Sequence, residues 1–197
     1  KALRNEQTKN RNFDFRDSAF TSELVYGTLR RQGLLDFALA KHSSKSLLSL
    51  DVPVLVSLRM GAYQLLYMRV ADHAAVSETV EVARSLAGDG ASKFVNAVLR
   101  SMQREGKEAV FARVASISDE QTRLATEHSH PGWVVSDIKE GLVARGVDEG
   151  ELGDALEANN VPPRVTLVAR PGLISAAELA QEAEDVLGVT TCQGSLS

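Results

Sequence analysis

The residues best suited to meet a polyanion stand in one stretch, Lys93-Phe94-Val95-Asn96-Ala97-Val98-Leu99-Arg100-Ser101-Met102-Gln103-Arg104. At about 100° per residue the stretch reads as a helix with two sides. Phe94, Val95, Val98, Leu99 and Met102 gather on one, with core spacing, and Lys93, Asn96, Arg100 and Arg104 gather on the other. The polar side carries three cations and an amide, and no acid. Lysine and arginine neutralise phosphates, and an asparagine can hydrogen-bond a base edge. The same side chains also suit plain solvated surface, and Asn96, at the border of the apolar side, can cap or bridge helices instead. Further cations that could join such a surface are Lys9, Arg11 and Arg16 in a polar N-terminal stretch, and the pair Arg30 and Arg31.

No catalytic constellation is complete. Gly88-Asp89-Gly90 is glycine-rich, but no strand precedes it, so it reads as a loop rather than a phosphate cradle. The histidines at 42, 73, 128 and 130 never fall at metal-ligand spacing on one helix face, and two imidazoles flanking a turn make a poor zinc site. Cys192 has no base or activating cation near it in sequence and reads as a bystander. No metal site is expected. Arg59, central in an apolar segment, requires an acidic partner, with Glu23, Asp36 and Glu78 as candidates.

The elements that must position these residues are nearly all helical. Asp14 or Asp17 caps a helix running to about Arg31, in which Gly27 invites close approach of a neighbour. Gly33 breaks the run, and Leu34–Lys41 forms a short second helix. Asp51-Val52-Pro53 opens a third, to about Met68, apolar nearly all round and therefore central. A fourth spans about Ala74 to Leu86 and is closed by Gly88-Asp89-Gly90. Ser92 caps the cationic helix, which ends near Gly106, and two weaker helices occupy 108–117 and 119–128. Pro131 and Gly132 punctuate a boundary at which Trp133 should anchor two units by packing. Helices follow over 133–144 and 148–159. Arg164–Ala169 is the one convincing strand, and Ser175 caps a helix over 176–187.

The charge is divided in the same way. Residues 1–127 hold 18 Lys+Arg against 15 Asp+Glu, while 128–197 hold 4 against 11, within a chain of net charge −4. The first part is the better candidate for a polyanion partner, and the overall acidity argues against a nonspecific nucleic-acid coat. One cysteine excludes an internal disulfide framework, no run of 18 apolar residues is present, and the polar first residues lack the apolar segment of a secretion signal. The expectation is a cytoplasmic protein.

Several blocks stand in a telling order: Arg16-Asp17, Glu23-Leu24-Val25-Tyr26-Gly27-Thr28-Leu29-Arg30, Leu35-Asp36, Leu58-Arg59-Met60-Gly61-Ala62-Tyr63-Gln64-Leu65, His73-Ala74-Ala75-Val76-Ser77-Glu78-Thr79-Val80 and Phe94-Val95-Asn96-Ala97-Val98-Leu99-Arg100. Together they resemble the NusB-like N-terminal domain of the bacterial 16S rRNA cytosine-5 methyltransferases of the Sun/Fmu (RsmB) type. Ser129-His130-Pro131-Gly132-Trp133 is similar to that family's junction, and Asn159-Asn160-Val161-Pro162-Pro163-Arg164-Val165-Thr166-Leu167 to its lead-in to the methyltransferase part.

The resemblance implies an all-α NusB-like domain of two three-helix bundles over 1–128, acting as an RNA-binding module. Residues 129–197 would be a truncated α/β N-terminal segment of the methyltransferase domain, without its Rossmann-like core. It implies a parent protein that transfers methyl from S-adenosylmethionine to C5 of a cytosine in small-subunit rRNA through a cysteine nucleophile. Thr191-Cys192 precedes the place where that core would begin, so no catalytic role passes to it. The chain alone is expected to hold no cofactor pocket and to be inactive. The implied RNA contacts are Lys9, Arg11, Arg16, Arg30, Arg31, Lys93, Asn96, Arg100 and Arg104. The implied partners are small-subunit rRNA, the methyltransferase core in cis, and possible self-association. Two other readings remain: a NusB-type antitermination factor that binds RNA without catalysis, against which residues 129–197 speak, and a helical protein-interaction scaffold.

Overall fold

A computed structural model of the chain describes residues 14–162, 166–188 and 190–192. The described residues are helical or irregular, with no strand among them. The helices are α1 (Phe15–Arg30), α2 (Gln32–Ala40), α3 (Val52–Tyr67), α4 (Asp72–Glu105), α5 (Lys107–Ala115), α6 (Glu120–Glu127), α7 (Gly132–Ala144), α8 (Leu152–Asn160) and α9 (Ala176–Leu187). Single 3-10 turns precede α3 and α8. The chain divides into two compact units, one ending at Asn160 and one beginning at Val161. No helix of the described residues is long and apolar enough to cross a membrane.

In the first unit α3 is central. It packs along α4 and also receives α1 and α2. Leu58, Ala62, Tyr63 and Leu66 are buried along it, against Leu34, Leu35 and Leu39 of α2 and Val76, Val95, Leu99 and Met102 of α4. The apolar character of α3 does not mean burial on every side: Val52 and Val56 of its first turns are exposed. Two glycines set the helix spacing. A Cβ on Gly27 would fall 2.0 Å from the Tyr63 ring, and one on Gly61 would fall 2.5 Å from Leu99. Gly27 therefore seats α1 against α3, as its place in the sequence suggested. A smaller cluster of Leu124, Val135, Leu152 and Leu156 joins α6, α7 and α8.

Some boundaries fall where expected, and others differ for a local reason. Asp14 caps α1, and Asp17 answers as the third residue of a capping box. The break after α1 lies at Arg31, and Gly33 sits inside α2, its Cα facing the Ser129 backbone. Asp51 precedes α3, but its carboxylate makes no cap bond. The segment Gly88-Asp89-Gly90 interrupts the helix as expected, and a second helix starts directly after Gly88. Only Gly88 leaves helical geometry (φ 84°, ψ −178°), so α4 is two arms joined at a kink. Ser92 is consequently not a cap: it is buried and its hydroxyl donates to the Asp89 carbonyl at 2.9 Å.

In the second unit, Ser175 and Glu178 form a capping box at the start of α9, and Gly188 closes it in the left-handed region. The expected strand is not seen. Residues 166–169 have no regular structure, with Leu167 and Val168 exposed, while Arg164 and Val165 lie outside the described residues. A strand needs a ladder partner, and the described residues supply none, so the α/β character expected of this part is not seen in them.

Candidate nucleic-acid interface

The second arm of α4 keeps the two sides read from its spacing. Val95, Val98, Leu99 and Met102 are buried, and Phe94 packs against the same core. Lys93, Asn96 and Arg104 are exposed. Arg100 is half-buried and donates to Gln103 Oε1 at 3.1 Å. None of the three cations pairs with an acid among the described residues.

The nearest acid in sequence, Glu105, turns away from them. Its carboxylate is 7% exposed and accepts from Lys41 Nζ at 2.7 Å, His42 Nε2 at 2.6 Å and Arg113 Nε at 3.1 Å. Burial pushes this carboxyl up, but the bonds from Lys41, His42 and Arg113 outweigh it and hold the pKa at about 2. The Arg113 guanidinium also lies 4.7 Å over the Phe37 ring. The acid that ends the cationic arm is thus consumed by other elements, and the stripe keeps its positive charge.

The other candidates separate. Arg16 is exposed in the first turn of α1, and Arg30 is half-buried in its last turn with no acidic partner among the described residues. Both α1 and α4 pack on α3, so these two arginines and the stripe lie on different helices of the bundle rather than in one row. Arg31 is engaged: its guanidinium forks onto Glu157 at 2.8 and 3.2 Å and lies 5.4 Å over the Tyr67 ring. That fork holds the Glu157 carboxyl below its ordinary range. Lys9 and Arg11 lie outside the described residues.

The remaining singled-out residues are structural or remote. Arg59 forks onto Asp36 at 2.8 and 2.7 Å, the second of the partners expected for it. His128 Nδ1 lies 3.1 Å from Glu157, and His130 Nδ1 lies 2.8 Å from the His128 carbonyl. Between them Ser129 takes a positive φ of 56°, and its hydroxyl accepts from the Leu34 N–H at 2.9 Å. Asn160 Nδ2 donates to the His128 carbonyl at 2.8 Å. The junction is therefore a fastened corner. Trp133 is not its anchor: it is 69% exposed in the first turn of α7, and the packing there falls to Val135. Cys192 is exposed.

A cavity of about 480 Å³ opens between α6, α7 and α8, lined by Leu124, Val135, Val143, Ala144 and Leu152 under a rim that includes Glu120, Lys139 and Glu140. Its rim mixes the Glu120 and Glu140 carboxylates with the Lys139 ammonium, and no strand-to-helix glycine turn adjoins it among the described residues.

The comparisons with known proteins agree with this architecture. The NusB family profile matches residues 1–104. A putative methyltransferase of Mycobacterium tuberculosis is 38% identical over 175 residues, which is 88% of this chain and 38% of that protein. The ribosomal RNA small subunit methyltransferase B of Pseudomonas putida is 37% identical over 181 residues, 91% of this chain and 38% of that protein. A probable ribosomal RNA small subunit methyltransferase B of Bacillus subtilis is 38% identical over 162 residues, 82% and 34% of the two chains. The chain spans little more than a third of the length of these relatives. By its profile match and its helical bundle, the chain belongs to the NusB family, and its similarity reaches along most of its length into proteins named as ribosomal RNA methyltransferases.

Proposed function

We propose that this chain is the RNA-recognition portion of an S-adenosylmethionine-dependent rRNA (cytosine-C5) methyltransferase. The observation that carries the reading is the polar side of the second arm of α4, where Lys93, Arg100 and Arg104 flank Asn96 without an acidic partner among the described residues. Arg16 and Arg30 on α1 extend the contact, as do Lys9 and Arg11. Arg31 holds α8 to the bundle instead. Residues 1–128 form the NusB-like RNA-binding domain and 129–197 the opening of the methyltransferase part. There residues 166–169 would gain strand pairing from the core. S-adenosylmethionine belongs to the parent protein, and this chain by itself transfers no methyl group.

Similarity to the methyltransferases covers up to 181 residues, well past the 104 of the NusB match, and this favours an enzyme's module over a free antitermination factor. The test is a titration of the chain with a small-subunit rRNA fragment across salt. Binding should weaken steeply as salt rises. The double variant Arg100→Glu, Arg104→Glu should bind more weakly and lower the salt slope by about two. Equal affinity and slope in the double variant would remove the stripe from the interface, and methyl transfer by the isolated chain would refute its assignment as a non-catalytic portion.

A further inference from the structure

The outward face of α1 carries an aromatic and a cation that the stripe does not use. Tyr26 is 52% exposed, and Leu29 beside it is 63% exposed. Arg30 follows Tyr26 at i+4, so the two side chains leave the helix about 40° apart, with Cβ atoms about 5–6 Å from each other. The helix beneath them is fixed. Leu24 and Thr28 are buried, and Gly27 lies directly on the Tyr63 ring. Glu23, the acid one turn before Tyr26, accepts a hydrogen bond from the Tyr63 hydroxyl. Its carboxylate is thus drawn to α3, and Arg30 has no acidic partner among the described residues.

A half-exposed aromatic ring on a packed helix, next to a guanidinium without an acidic partner among the described residues, matches the chemistry of one unpaired nucleotide. The ring offers a stacking face for the base and the guanidinium a contact for its phosphate. We propose that Tyr26 and Arg30 form a subsite for an unpaired nucleotide, so that the chain reads single-stranded RNA on α1 as well as phosphates along α4. This rests on the RNA-binding reading above and adds to it the class of RNA. A duplex keeps its bases stacked on each other and cannot offer one to Tyr26.

The test uses the whole chain and two probes, a short single-stranded RNA carrying one 2-aminopurine and a blunt RNA duplex of the same length. Tyr26→Ala should bind the single strand about 5- to 100-fold more weakly, the range found for losing one stacked base, and should leave duplex binding unchanged. Tyr26→Trp should restore single-strand binding and quench the 2-aminopurine. Tyr26→Leu, which keeps apolar area but no stacking face, should not. Arg30→Gln should weaken both probes modestly and flatten the salt dependence. Circular dichroism checks that each variant keeps its helices. If wild type binds RNA, and the α4 double variant binds less, but Tyr26→Leu matches wild type on the single strand, the subsite is wrong and the stripe stands. If wild type binds neither probe at low salt, the RNA-binding reading falls and the subsite with it.

Discussion

Two sets of arginines in this bundle look alike in sequence and behave differently in space. Arg31 and Arg59 each fork onto a carboxylate, Glu157 and Asp36. Arg100 and Arg104 meet no acid among the described residues. The first set fastens helices and the second faces solvent. Local position does not explain the difference, since Arg59, Arg100 and Arg104 all lie within helices and Arg31 lies at the break between two. It lies in the acids that the fold delivers: Glu157 comes from 126 residues away in the chain. A guanidinium beside a carboxylate in a half-buried site is spent on structure, and one left without a carboxylate is available to a polyanion. Glu105 shows the same rule from the acid's side. It stands next to Arg104 in sequence yet gives its carboxylate to Lys41, His42 and Arg113.

This contrast can be broken most forcefully through Glu105. Its folded pKa of about 2 lies below the ordinary 4.5, so its ion pairs stabilise the fold fully above the unfolded value. That stability should be lost as pH falls from about 5 towards 2, by about 3 kcal/mol in all. Denaturant unfolding at a series of pH values in this window measures the loss, and Glu105→Gln should flatten the curve. A variant as acid-labile as wild type would show that other carboxylates carry the effect. Removing a fork comes next. Asp36→Ala leaves the Arg59 guanidinium, 17% exposed, without its partner and should cost about 2 kcal/mol, less than for a fully buried pair. Glu157→Gln should cost about 1 kcal/mol, because that carboxylate is half-exposed. Its effect should be local, seen as faster amide exchange over 152–160 with α3 unchanged. Neither variant should alter RNA affinity. A loss of affinity in both would mean that the forks and the stripe act as one surface.

What could be read from the sequence follows the same division between local and distant causes. The helices of 14–160 were legible because their apolar residues recur at helical spacing and because Asp14 and Pro53 punctuate them. The polar side of α4 was legible for the same reason. The break at Gly88 was legible from two glycines around an aspartate, but not that one residue makes it and the next helix follows at once. Trp133 misled because size and apolarity suggest burial, while the first turn of α7 points it to solvent. The strand at 164–169 was read from β-branched composition, which does not supply a ladder partner. Among the candidate cations, Arg31 was indistinguishable from Arg30 by position. Only Glu157 separates them, and no local pattern announces a partner at that distance.

The mildest test for the fold is the sharpest for the comparison: give the stripe the acid it lacks. Ala97 is exposed on the second arm of α4, four residues after Lys93 and three before Arg100. A carboxylate there stands within reach of both cations. Ala97→Glu trades a small loss of helix propensity against one or two surface pairs, each worth about 0.3–0.5 kcal/mol, so stability should stay within about 0.5 kcal/mol of wild type. RNA affinity should nevertheless fall and its salt slope shrink, because the stripe would become a paired surface of the kind that holds Arg31. Ala97→Gln has similar size and no charge, and should keep wild-type binding. If both variants bind alike, the cations of α4 are ordinary solvated surface, and their lack of acidic partners has no bearing on RNA.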